Sequence, residues 1–262
     1  MNAPAPELVV HAGEPLLARA IAARLVTSLT DAVAARGSAS LVLTGGGIGT
    51  ASLAALAAAP ARDAVDWRAV DIWWGDERFA PTGDPDRNET GARAALLDHV
   101  DCDPARVRPM PGPDGPDGGD PDAAAARYAG WLAAAARPGH GGPVPSFDVL
   151  LLGIGPEGHV ASLFPGMPAL RDERPVVAVR DSPKPPPTRL SLTLPSIRAA
   201  REVWILASGG EKADAVALAL SGAGPDQVPA AGARGTRRTL FLVDRDAAAK
   251  IPPAAGRPAG TP

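Results

Sequence analysis

The chain has 262 residues, 45% of them hydrophobic and 21% charged, with a formal net charge of -3. That length can bury a large α/β core, and neither the charge nor any block of Lys and Arg points to nucleic acid. One cysteine, Cys102, excludes an intrachain disulfide, and no apolar run reaches the length that spans a bilayer.

The start MNAPAPELVV lacks the basic and apolar regions of a signal peptide, so a cytoplasmic, reducing setting is the expectation. Short apolar runs then predict strands over 8–10, 41–43, 70–74, 147–152, 176–179, 203–207 and 240–243. Helical patterns fall between them, over 14–35, 50–59, 89–100, 122–136 and 211–220, with a short piece after Asp244. Strands apolar at nearly every position, alternating with helices, predict an α/β fold: a doubly wound, mostly parallel sheet with helices on both faces. Residues 1–250 read as one domain. The ending IPPAAGRPAGTP reads as a disordered tail over 251–262. The segment PMPGPDGPDGGDP, 109–121, reads as a flexible surface linker between helices.

In an open parallel sheet, ligands bind beyond the carboxyl ends of the strands. Four predicted strands run into polar loops: TGGGIGT at 44–50, GDERFAP from 75, GIGPEGH from 153 and RDSPKPPP from 180. The first opens a helix, and Gly45, Gly46 and Gly47 let backbone N–H groups approach an anion such as phosphate. It is no P-loop, because no Gly-Lys-Ser/Thr follows. The second packs Asp76, Glu77 and Arg78 directly after a strand, with Arg87 and Asn88 further on; an arginine there suits a phosphate, and a plain surface charge cluster is the bland alternative.

The third loop carries His159, one of four histidines, two residues after Glu157. Its G-x-G-x-x-G spacing mimics a dinucleotide loop, but Pro165, Gly166 and Pro168 break the helix that such a loop needs. A metal site lacks a second histidine at helical spacing or a set of cysteines. A general base is the better use of an imidazole, with Glu157 orienting it or stabilising its charged form; a loop histidine bonded to its own turn is the alternative. The fourth loop places Lys184 and Arg189 on a proline-stiffened backbone. Lys212, after SGGE, reads as a solvated helix-end lysine, with anion binding the minority reading.

Four segments together resemble the glucosamine-6-phosphate isomerase/6-phosphogluconolactonase family: LTGGGIGT, WWGDERFAP with DRNET, LLGIGPEGHVASLFPG and DSPKPPPTRLSLTLP. The resemblance runs from about Leu8 to Lys250. It implies hydrolysis of 6-phospho-D-glucono-1,5-lactone to 6-phospho-D-gluconate, with no metal and no cofactor, by an enzyme whose partner is a sugar phosphate lactone; a monomer, with neither nucleic acid nor membrane as partner, is the expectation. His159 would activate water, the backbone around Gly155–Gly158 or an arginine would hold the oxyanion, and Arg78, Lys184 and Arg189 would hold the phosphate. Two departures stand out: Glu157 replaces the commoner aspartate, and Arg87-Asn88-Glu89 replaces a Ser-Asn-Tyr-like triplet, so that only Asn88 carries over. The deaminase branch has an acid in the loop after the histidine, where this chain has Ala161-Ser162-Leu163-Phe164-Pro165. A sugar-phosphate sensor is the non-enzymatic alternative, and no DNA-binding module accompanies this chain's pattern.

Overall fold

A computed structural model describes residues 4–136 and 142–252. In chain order the described elements are β1 (Glu7–His11), α1 (Glu14–Arg36), β2 (Ala39–Leu43), α2 (Gly47–Ala58), β3 (Val70–Trp74), β4 (Asp76–Arg78), α3 (Asn88–Ala95), α4 (Pro121–Ala135), β5 (Val149–Gly153), β6 (Val176–Val179), β7 (Arg189–Leu192), α5 (Leu194–Arg198), β8 (Glu202–Ala207), α6 (Ala213–Leu220), α7 (Pro229–Gly232) and β9 (Arg238–Asp244).

Six strands form one parallel sheet in the order β1-β9-β8-β5-β2-β3. Residues of β5 from Val149 to Leu152 are buried in succession, as are Val203 to Ala207 of β8. Successive residues of a strand point to opposite sides, so unbroken burial means that both faces are covered. This is the expected α/β architecture, and the apolar runs are its cause.

Strand β6 departs from the expectation. It was expected in the parallel sheet but joins a separate three-stranded sheet, β4-β7-β6, paired antiparallel throughout. A parallel return needs a crossover of roughly a dozen residues or more. Residues 180–188 are too few for one, so the chain doubles back. The two sheets join at Gly75, whose N–H donates to Leu43 O (3.0 Å) and whose carbonyl accepts from Leu192 N–H (2.8 Å). Helix α4 packs over β6 and β7.

Two further expectations change. The 109–121 segment is anchored rather than loose. Met110, Pro111 and Gly112 are buried, Met110 O accepts from Arg87 (2.7 Å), and Asp117 pairs with Arg127 (2.6 Å). Ile251 packs on the core instead of opening a tail; the rest of the expected tail, from residue 253, lies outside the described residues, as does His140.

Candidate active site

Loops at the C-terminal edge of the large sheet, closed over by the small sheet, enclose a cavity of about 470 Å3. The turn after β5 forms its centre. Gly155 N–H donates to His159 O (3.0 Å), Gly158 N–H donates to Gly155 O (2.9 Å), and Ile154 bridges to Val160. The imidazole folds back over Gly155 so closely that a Cβ there would lie 1.9 Å from His159 Nδ1. Only glycine leaves room for the ring. On its other side the ring stacks on Phe164, with centroids 4.4 Å apart.

His159 Nδ1 lies 3.0 Å from Glu157 Oε1. The carboxylate sits off the N–H direction, so the contact acts as a charge neighbour more than as a hydrogen bond. Lys184 Nζ stands 3.4 Å from the same carboxylate. Burial pushes the His159 imidazole below the ordinary histidine range; Glu157 opposes this, Lys184 adds to it, and Asp76 opposes it. The ring is therefore neutral at pH 7, the form that can accept a proton. Burial acts to raise the Glu157 carboxyl, but its own backbone N–H, His159 and Lys184 together bring it below the usual carboxylate range.

The expected oxyanion donors in this turn are already used. The Gly155 and Gly158 N–H groups close the turn, residue 156 is proline, and the Glu157 N–H serves its own carboxylate. Gly155 lines the cavity, whereas Gly158 and Glu157 stand outside its wall.

The loop after β2 brings Gly45, Gly46 and Gly47 to the wall. A Cβ at Gly45 would lie 1.9 Å from Asn88 Oδ1, so glycine here admits the asparagine. Helix α2 starts with no side-chain cap, leaving first-turn N–H groups at the cavity, a setting that favours an anion.

The small sheet supplies charge. Along β4, Asp76 and Arg78 face the cavity while Glu77 points to the opposite side, as strand alternation requires. Glu77 is fully buried. Its Oε1 accepts from the N–H of Asn88 (2.6 Å) and Arg78 (2.9 Å), and its Oε2 from Glu89 N–H (2.8 Å). Burial pushes its carboxyl up to about 7, against Arg87 and these three donors. Glu77 thus pins the start of α3 and does not itself reach the cavity. Pinned there, Asn88 donates to Asp76 O (2.8 Å) and accepts from Arg78 Nη1 (2.7 Å). From β7, the buried Arg189 lines the wall while donating to the carbonyls of Lys184 (3.0 Å), Pro185 and Pro186 (3.2 Å each).

A model of the family described as glucosamine-6-phosphate isomerases/6-phosphogluconolactonase matches residues 13–242. The chain belongs to this family. It is 62% identical to a 6-phosphogluconolactonase of Streptomyces coelicolor, covering 94% of this chain and 95% of that one. It is 56% identical to a 6-phosphogluconolactonase of Mycobacterium tuberculosis, covering 90% and 95%. Among solved structures, the 6-phosphogluconolactonase of Trypanosoma brucei superposes with a TM-score of 0.81 at 30% identity, covering 96% of this chain and 100% of that one. A monomeric glucosamine-6-phosphate deaminase superposes at 0.77 with 20% identity, a likeness of fold alone.

Within this family fold, one further cation lines the cavity. Lys212 ends the short turn Gly210–Lys212 after β8 and stands 3.7 Å from Glu211. Its signal was available: β8 is a parallel strand of the same sheet, so SGGEK emerges at the same edge as the other loops. Glu14, Thr44 and Ser208 also line the wall. Among the described residues, no group of three or more His, Cys, Asp or Glu is placed to hold a metal.

Proposed function

We propose that the protein hydrolyses 6-phospho-D-glucono-1,5-lactone to 6-phospho-D-gluconate, the second step of the oxidative pentose phosphate pathway. The observation that carries this reading is a neutral, proton-accepting His159 on the wall of a cavity ringed by Arg78, Lys184, Arg189 and Lys212. An activated ester attacked by water needs one base and a place for the anionic substrate, and both are present.

His159 removes a proton from water as the oxygen attacks C1. The carbonyl electrons move to oxygen, forming a tetrahedral oxyanion. With the N–H groups of the 155–158 turn occupied, its charge falls to a side-chain cation, and Lys184, which shares the Glu157 carboxylate with His159, is the one assigned to it. The oxyanion collapses, the C1–ring-oxygen bond breaks, and the imidazolium returns its proton to the departing oxygen. The 6-phosphate docks on the uncapped first turn of α2 with Arg78, Arg189 and Lys212, and this remote binding holds C1 against the base. All of these groups come from one chain, so a monomer suffices.

The test is lactone disappearance, with the substrate generated in situ and followed against its spontaneous rate. Acceleration by wild type and its loss in His159→Ala are the expected results. No acceleration would overturn the reading and turn attention to glucosamine 6-phosphate.

A further inference from the structure

Three residues beyond His159 the chain makes a connection that the chemistry above does not use. Ala161 sits at φ +50°, a left-handed conformation that non-glycine residues adopt at a cost. The reversal is closed by Leu163 N–H donating to Val160 O (3.0 Å). It sends the next residue, Ser162, toward the small sheet. Ser162 is fully buried. Its N–H donates to Ser191 Oγ (3.2 Å) on β7, whose own hydroxyl donates to Leu192 O (2.9 Å). Its hydroxyl donates to Asp76 Oδ2 at 2.7 Å.

Asp76 is buried and lines the cavity. Oδ2 is taken by Ser162, while Oδ1 has only a distant 3.4 Å approach from Asn88 Nδ2. Oδ1 is therefore the oxygen left to accept from a substrate hydroxyl. A short O–H···O⁻ bond is among the stronger neutral-to-charged contacts, and this one crosses from the turn of the large sheet to a strand of the small one.

We propose that Ser162 is a positioning residue: its hydroxyl fixes the Asp76 carboxylate relative to His159, and so sets both the hydroxyl acceptor and the field at the base. The kinetic meaning of this inference rests on the hydrolytic reading above; the geometric one does not. The charged groups acting on His159 include Glu157, Lys184 and Asp76; Glu14, Arg78, Arg189, Glu211 and Lys212 line the same cavity, and Arg189 acts with Asp76. Removing the Ser162 donor leaves the Asp76 charge less neutralised. Its field then favours the imidazolium more strongly.

The experiment follows the His159 imidazole by NMR through a pH titration of the free enzyme, in wild type, Ser162→Ala, Asp76→Asn and the double variant. Ser162→Ala should raise the His159 pKa by about half a pH unit or more. The same change in the Asp76→Asn background should produce no shift. Ser162→Cys, similar in size and a weaker donor, should fall between wild type and Ala, and it serves if the Ala variant folds poorly. In kinetics, the acid limb of kcat/KM should move up with the imidazole. A His159 titration unchanged or lowered in Ser162→Ala, or shifted equally without Asp76, overturns the inference. An NMR shift without any lactone hydrolysis by wild type would keep the positioning role and sink the hydrolytic reading; hydrolysis without the shift would do the reverse.

Discussion

The six-stranded and three-stranded sheets are joined through the backbone of Gly75, yet they differ in how much polar side chain they bury. In the large sheet, Val149, Leu150, Leu151 and Leu152 of β5 are packed in apolar surroundings. In the small sheet, Asp76, Glu77, Arg189 and Ser191 are buried beside Val177, Leu190 and Leu192. Apolar burial stabilises in proportion to area and asks for no particular partner. Polar burial is tolerable only when each group finds its own partner. The small sheet meets most of that demand with specific partners: Ser162 on Asp76, three N–H groups on Glu77 and three carbonyls around Arg189. The large sheet thus acts as a scaffold that presents loops, and the small one as a frame that holds charges at fixed places beside them.

The division is sharpest at the base. His159 is presented by the large sheet, and His159→Ala should lower kcat/KM for the lactone by about two to four orders of magnitude with the fold kept. A near-wild-type rate in that variant would remove the large sheet's central role in the chemistry.

The next largest effect is on stability. Glu77→Ala strips a buried carboxylate from three N–H donors and Arg87, and should cost about 3–5 kcal/mol. Ile205→Val, in fully buried β8, should cost only about 0.5–1.5 kcal/mol. Urea unfolding of both variants checks the contrast, and equal costs would break it. A pH signature accompanies Glu77. Its carboxyl is raised from 4.5 to about 7 in the fold, so the native state keeps a proton that the unfolded chain releases within that interval. The stability this gives is full below about 4.5 and is lost as pH rises to about 7. Glu77→Gln cannot titrate, so the advantage of wild type over it should shrink across the same window. An advantage that grows there would mean that Arg87 and the N–H donors outweigh burial.

The same contrast decides what was legible in the sequence. The runs at 41–43, 149–152 and 203–207 announce themselves because every position is apolar, and both-face burial follows. Strand β4 is Asp-Glu-Arg and β7 begins with arginine; nothing in periodicity marks such segments as strands, because their burial depends on partners distant in the chain. For that reason the apolar run at 176–179 reads from sequence as one more parallel strand, and Asp76, Glu77 and Arg78 read as one cluster although strand alternation turns Glu77 away from the cavity. His159 was legible as the candidate base from its chemistry, and its place on the cavity wall was not. Nor was the use of the glycine N–H groups legible, since only the folded turn shows that those of Gly155 and Gly158 bond within it. The place of Lys212 on the cavity wall was legible in principle, as it follows one more parallel strand of the large sheet.

Of the cavity cations, Arg78 joins the small sheet to α3 through Asn88 and the carbonyl of Asp86. Charged hydrogen bonds are worth about 1.5–3 kcal/mol, so Arg78→Ala should raise KM about 10- to 100-fold while kcat changes less. Steady-state kinetics at saturating and limiting lactone separate the two. A fall confined to kcat would move Arg78 from holding the substrate to serving the reacting centre.

The smallest expected effect lies within the turn itself. Glu157 raises the His159 pKa against burial, and Lys184 lowers it. Glu157→Gln removes the opposing charge and also frees Lys184 from its ion pair, so both changes push the imidazole pKa further down. At pH 7 the base is neutral with or without Glu157, so kcat/KM should fall less than about tenfold, through a weaker base and a less fixed Lys184. Below the ordinary histidine range the ordering changes. The acid limb of kcat/KM should move to lower pH, and the variant should keep a larger share of its own maximum rate than wild type does. A limb that stays in place, with the same loss at every pH, would mean that Glu157 shapes the turn without acting on the charge of His159. The tuning of the base would then rest on its burial and on Lys184, opposed by Asp76 across the junction with the small sheet.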